Sequence, residues 1–174
     1  HIPFVADKRF IQRYLNEGLP QKEAEYAALV EGMDKSLGDL MNYLDENKLT
    51  DNTVILFVSD NGGFSLPPRA GATFSHNKPL RAGKGSEYEG GIRVPMLVKY
   101  PGFTKANTSI NTPVIIEDFF PSLLEIAGIT KYETVQQIDG KSFVPLLHSA
   151  AVKVPERSFV WHFPNKWIPQ EGNG

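Results

Sequence analysis

Three groups of residues carry chemistry by type and position. Asp60 and Asn61 stand side by side at the end of an apolar run, Val54-Ile55-Leu56-Phe57-Val58, and are followed by Gly62-Gly63. A carboxylate next to a carboxamide is a pair of hard oxygen donors, of the kind Ca²⁺ or Mg²⁺ takes. Taken by itself the stretch reads first as a polar turn, because Asp, Asn and Gly dominate turns. Lys84 lies between Gly83 and Gly85, where little backbone bulk keeps an ammonium from an anion. A solvated surface lysine is the plainer reading. It is not a Walker-type phosphate loop, which needs Gly at the place of Lys78 and Ser or Thr at the place of Gly85. The histidines His1, His76, His148 and His162 can exchange a proton near neutral pH.

These groups need a scaffold, and the apolar pattern supplies one. The run 54–58 reads as a strand buried on both faces, with Asp60-Asn61 at its carboxyl end, where open α/β sheets gather ligands. The two glycines after it are expected to free the backbone for a sharp turn. Before it, Tyr26, Leu29, Val30, Met33, Leu37, Leu40, Met41 and Leu44 recur at spacings of three and four, which predicts an amphipathic helix over 21–47. Glu23, Glu25, Glu31 and Asp34 load its first half with the charge that a helix N-terminus favours.

Residues 64–92 lack periodicity and are rich in Gly, Pro, Ser and Lys; so long a loop in a compact domain is functional or disordered. A second strand is expected over 94–100, with Pro95 at its start because proline cannot donate to a ladder. A short helix follows over 116–127, with Asp118 as N-cap, Pro121 in the first turn and Gly128 as the stop. Another covers 142–148 and closes on His148, where a cation suits the dipole. A further strand is expected over 158–163, with His162 as a partly buried residue of it. A long helix feeding a buried strand is half of a βαβ unit. The fold class is therefore α/β.

Composition narrows the function classes. The 174 residues suffice for one domain with a core, and a net charge of −2 gives no footprint for nucleic acid or an anionic membrane. No apolar run reaches the roughly 18 residues of a spanning helix. With no cysteine there is no disulfide, thiolate zinc site or cysteine nucleophile. The opening His1-Ile2-Pro3 and the Gly/Asn-rich close read as the ends of a fragment. Asn107-Thr108-Ser109 is a glycosylation sequon, meaningful in a eukaryotic secretory pathway.

Larger blocks carry a resemblance. Asp60-Asn61-Gly62-Gly63, then Pro79-Leu80-Arg81-Ala82-Gly83-Lys84-Gly85, then Tyr88-Glu89-Gly90-Gly91-Ile92-Arg93-Val94-Pro95 resemble the second half of a type I, formylglycine-dependent sulfatase. This is the arylsulfatase family, within the alkaline phosphatase-like superfamily. Asp118-Phe119-Phe120-Pro121-Ser122-Leu123-Leu124, Asp139-Gly140-Lys141-Ser142-Phe143-Val144-Pro145 and Trp161-His162-Phe163-Pro164 agree in order, so the match runs over nearly the whole chain.

The resemblance implies a partial three-layer αβα fold with a mostly parallel sheet. It implies that residues 1–174 are the later part of one catalytic domain, with a smaller C-terminal subdomain starting near residue 155. It implies that Asp60 and Asn61 are two of the ligands of a Ca²⁺ ion, that Lys84 holds the sulfate oxygens, and that His1, in a His-x-Pro element with Pro3, acts in proton transfer beside the ester. The partners would be a sulfated small molecule or carbohydrate and the rest of the catalytic domain, with no nucleic acid and no membrane. The compartment would be periplasmic, extracellular or lysosomal.

The family's nucleophile is a formylglycine made from Cys or Ser in a Cys/Ser-x-Pro-x-Arg motif upstream of the histidine, and further calcium-binding aspartates also lie upstream. Ser65-Leu66-Pro67-Pro68-Arg69 fits the short form of that motif but lies after Asp60-Asn61 and lacks the Thr-Gly that should follow; a Pro-rich turn is its ordinary reading. Two alternatives stand beside the sulfatase reading. One is a phosphonate or phosphodiester hydrolase of the same superfamily, since metal, lysine and histidine serve either anion. The other is a non-catalytic structural or carbohydrate-binding module, favoured if no Cys/Ser-x-Pro-x-Arg motif precedes His1.

Overall fold

The computed structural model describes residues 5–63, 77–148, 152 and 155–162. His1, the stretch 65–69 and His76 lie outside them. The chain divides into two compact units, one containing the residues up to Leu97 together with those from Val160 onward, the other running from Val98 to Phe159.

In the first unit α1 (Ile11–Asn16) leads into α2 (Gln21–Glu46), the long helix expected over 21–47. Its end is a Schellman stop: Lys48 takes φ 59°, Lys48 N–H donates to Asp45 at 3.0 Å and Leu49 N–H to Leu44 at 2.8 Å. That reversal, with a 3₁₀ turn at Thr50–Asn52, delivers the chain to β1 (Ile55–Val58). The buried face of α2 differs from the expected stripe. It is made of Ala24, Ala28 and Gly32, four residues apart, while Met33 is 47% and Leu40 50% exposed. The physical reason is the partner. Against α2 packs the six-residue α1 and the segment before it, so close that a Cβ on Gly32 would meet Asp7 Oδ2 at 2.7 Å. Small side chains permit that approach, and so short a helix leaves Val30, Met33 and Leu40 of the stripe exposed and its other members half-buried. Arg13 and Glu31 pair across the two helices at 3.0 Å.

A four-residue helix, α3 (Glu89–Ile92), precedes β2 (Met96–Lys99), which pairs with β1. The pair is antiparallel, in keeping with the 2.8 Å hydrogen bond from Gly62 N–H, just past the end of β1, to Gly91 O, just ahead of β2. Two described strands are less than the mostly parallel sheet expected, and β1 is not buried on both faces: its residues are half-buried and Val58 is exposed. A neighbouring strand pairs along an edge, whereas a strand's faces are covered only by layers packed above and below the sheet. No described helix is long and apolar enough to cross a membrane.

The second unit is built on α4 (Phe119–Ile126), entered through a 3₁₀ turn at Ile116–Asp118. Gly128 stops it as expected, at φ 76°, with Gly128 N–H on Glu125 at 3.0 Å and Ile129 N–H on Leu124 at 2.8 Å. Asp118 does not cap α4 with its side chain. The carboxylate turns away and accepts from Ile115 N–H at 3.0 Å, Lys141 N–H at 2.8 Å and both terminal nitrogens of Arg157, one at 2.7 Å. Ser122 Oγ–H donates to Asp118 O at 2.6 Å while its oxygen accepts Phe143 N–H at 2.9 Å. These bonds dock 140–143 on the start of α4 and bring Phe143, Val144 and Leu146 into the core, with α5 (Val144–His148) closing the unit. Burial pushes the Asp118 carboxyl up, but Arg157 and the two backbone donors outweigh it and hold its pKa below the ordinary value. Residues 158–162 form no strand, and His162 is exposed rather than partly buried in one. His148 ends α5 as expected, its ring 5.1 Å from that of Phe103.

Candidate functional site

The site grows from two glycine pairs that meet. Gly62 and Gly63 follow the Asp60-Asn61 turn, and Gly90 and Gly91 are the two middle residues of α3. A Cβ on Gly62 would fall inside the carbonyl oxygen of Gly90 and 2.7 Å from Gly91 Cα; one on Gly90 would overlap the carbonyls of Arg81 and Ala82; one on Gly91 would lie 2.7 Å from Gly83 O. Neither Gly62 nor Gly63 takes a positive φ. Their service is therefore close backbone approach, not the sharp turn that the sequence led us to expect.

With the side chains removed, backbone groups find each other. Gly62 N–H donates to Gly91 O at 2.8 Å, Lys84 N–H to Gly63 O at 2.9 Å and Gly90 N–H to Arg81 O at 2.8 Å. Ser86 Oγ–H, buried, closes the turn on Gly83 O at 2.9 Å. Ala82 at φ 59° and Gly85 at φ 89° bend the loop on either side of Gly83 and Lys84, and the Arg81 guanidinium lies 3.7 Å above the Tyr88 ring. The Lys84 loop is thereby welded to the end of β1.

Asp60, Asn61 and Lys84, which the sequence singled out in separate segments, come together on this interlock. Asp60 and Lys84 are exposed and Asn61 is half-buried. Among the described residues, no hydrogen bond or ion pair engages the side chains of these three. The Asp60 carboxylate and the Asn61 carboxamide are thus uncommitted oxygen donors on neighbouring residues, which fits Ca²⁺. No three His, Cys, Asp or Glu side chains among the described residues gather around one point, so the two residues would supply only part of a calcium ligand set. Two hollows of the second unit are lined by Thr130, Lys131, Tyr132 and Glu133, and by Glu117, Phe120 and residues 134–140.

Two residues of the interlock escaped the sequence reading. Asn77 Nδ2 donates to Gly63 O at 2.8 Å and to Ala82 O at 3.1 Å; as an Asn two residues before a proline it carries only a turn signal. Ser86 is buried on Gly83 for the same local reason. His1 is not placed with them, lying outside the described residues.

Against known proteins, the family model described as Sulfatase matches residues 1–129. A sulfatase of Formosa agariphila is 41% identical over 154 residues, covering 82% of this chain and 26% of that protein. Human arylsulfatase H is 35% identical over 167 residues, covering 94% of this chain and 28% of its own length. Among solved structures, Ps i-CgsB in complex with k-i-k-neocarrahexaose superimposes with a TM-score of 0.73 at 36% identity, over 84% of this chain and 31% of that one. The chain spans about a quarter of the length of the curated relatives it matches.

Proposed function

The chain belongs to the sulfatase family, and from that premise we propose that it is the later part of the catalytic domain of an enzyme that hydrolyses sulfate esters. The observation that supports the reading is the glycine interlock, which ties the loop bearing Lys84 to the turn bearing Asp60 and Asn61, three residues whose side chains make no hydrogen bond or ion pair among the described residues.

A sulfate ester is anionic, and its charge must be held before a nucleophile reaches the sulfur. The Lys84 ammonium binds sulfate oxygens as a compact charge and counters charge developing during transfer. Asp60 and Asn61 would hold Ca²⁺, and the bound cation would supply further positive charge at the ester. His1, in its His-x-Pro element, moves a proton at the ester oxygen. The nucleophile, a formylglycine, belongs to the domain's upstream part, and the remaining oxygen ligands with it. The substrate is a sulfated carbohydrate or small molecule, a choice supported by the neocarrahexaose bound to the similar solved protein. The compartment is periplasmic, extracellular or lysosomal. Residues from about 155 begin a smaller subdomain.

The test is turnover of an aryl sulfate by the whole protein. Lys84→Ala should lower kcat about 10²–10³-fold, the usual loss on removing one charge-stabilising donor. Lys84→Arg should also harm it, because a planar fork does not replace a compact ammonium. Near-normal activity in either variant would make Lys84 a surface residue and sink the reading. The chain by itself should turn over none, and Ser65→Ala should change nothing, since no residue here stands in the nucleophile's place.

A further inference from the structure

We propose that Asn77 is a positioning residue of this site, holding Lys84 at a fixed spacing from Asp60 and Asn61; the proposal rests on the roles given to those three above. The Asn77 carboxamide reaches back 14 residues to Gly63 O at 2.8 Å, and forward to Ala82 O at 3.1 Å. Gly63 ends the turn that bears the oxygen donors, and Ala82 lies two residues before Lys84.

The chemistry is specific to the amide. A carboxamide NH₂ carries two protons, and here two carbonyls face it. The two lone pairs of Gly63 O are both used, by Asn77 Nδ2 at 2.8 Å and by Lys84 N–H at 2.9 Å. The fit is close as well as polar: a Cβ on Gly63 would collide with Asn77 Oδ1 and lie 3.4 Å from its Cγ. Asn77 is itself held, its own carbonyl accepting Leu80 N–H at 2.8 Å. Ala82, buried and at φ 59°, sits where the loop bends toward Lys84, so its carbonyl is the point at which a strut sets the loop's distance from β1. Removing the strut leaves the glycine interlock in place, with Gly62 on Gly91 and Gly90 on Arg81. The loop then shifts rather than unfolds.

Two variants of the whole protein separate positioning from packing. Asn77→Asp keeps the shape and aims a carboxylate oxygen at two carbonyl oxygens; Asn77→Ala removes the group and leaves space. Positioning orders the loss of kcat as Asp greater than Ala, with Asn77→Asp down about 10²-fold, the scale of a displacement near 1 Å. Packing would order them the other way. Amide exchange at Lys84, whose N–H shares Gly63 O, should rise about tenfold in Asn77→Asp, as expected for weakening one hydrogen bond by roughly one tenfold step, with the thermal midpoint little moved. Unchanged exchange at Lys84, or turnover within twofold of the parent, would overturn the proposal, as would a loss of turnover matched by loss of folded protein. If the parent has no sulfatase activity, the function fails, and the exchange measurement alone decides whether Asn77 fixes the Lys84 loop.

Discussion

The Gly62–Gly91 interlock and the Asp118 cluster perform one task by opposite means. Both tie segments far apart in sequence where no regular ladder does so. In the first unit the tie is made by taking side chains away: glycine meets glycine, and backbone amides reach carbonyls directly. In the second it is made by burying one carboxylate, fully enclosed, among two backbone donors and the Arg157 guanidinium 39 residues on. The difference shows in what remains. The glycine tie engages no side chain of Asp60, Asn61 or Lys84 among the described residues; the carboxylate tie consumes its charges in holding itself together. The anion site proposed above goes with the first device, because a charge already paired has little left to offer.

The contrast can be broken by mutation. Removing atoms should hurt the second unit most. Asp118→Ala leaves Arg157 unpaired and should cost about 3–5 kcal/mol, the usual penalty for breaking a buried pair, read from amide exchange at Phe143, whose N–H rests on Ser122. A cost below about 1 kcal/mol would place Asp118 among surface ion pairs and dissolve the comparison. Adding atoms should hurt the first unit. Gly62→Ala drives a methyl into the Gly90 carbonyl and should cost about 1–3 kcal/mol, the range for overpacking, with exchange at Gly91 and Lys84 rising together. If the alanine is tolerated, close approach is not what the glycine is for.

Acid sharpens the same contrast. The folded Asp118 pKa is depressed, so its contribution is complete above the ordinary value of 3.8 and fades as pH falls below that and through the folded pKa. Exchange at Phe143 should therefore accelerate in that window, and Asp118→Asn should remove the acid dependence. Asp7, held at about 2 by its hydrogen bonds with Arg9, titrates in the same direction in the other unit. Exchange at Phe143 that ignores acid in the parent would mean Arg157 is not engaged in solution. The smallest effect concerns calcium. In the proposed role Asp60 and Asn61 would supply only part of the six to eight oxygens that Ca²⁺ takes, so this chain alone should bind it more weakly than micromolar by calorimetry. Tight binding abolished by Asp60→Ala would mean that the ligand set here is complete.

Much of the scaffold was legible in sequence. The helix over 21–46, the strand at 55–58 and the stop at Gly128 follow from periodicity and from residues that act on neighbours within a few positions. Asp60, Asn61 and Lys84 were singled out by residue type and by blocks resembling a known family. What tertiary structure alone decided has a common character. The exposure of Met33 and Leu40 depends on how short a helix packs against α2; Asn77, and the pairing of Asp118 with Arg157, depend on carbonyls and charges 14 and 39 residues away. Hydrophobic period records which face of an element avoids water. It does not record which distant amide will meet which carbonyl, because every residue carries the same backbone groups and only the folded path selects among them.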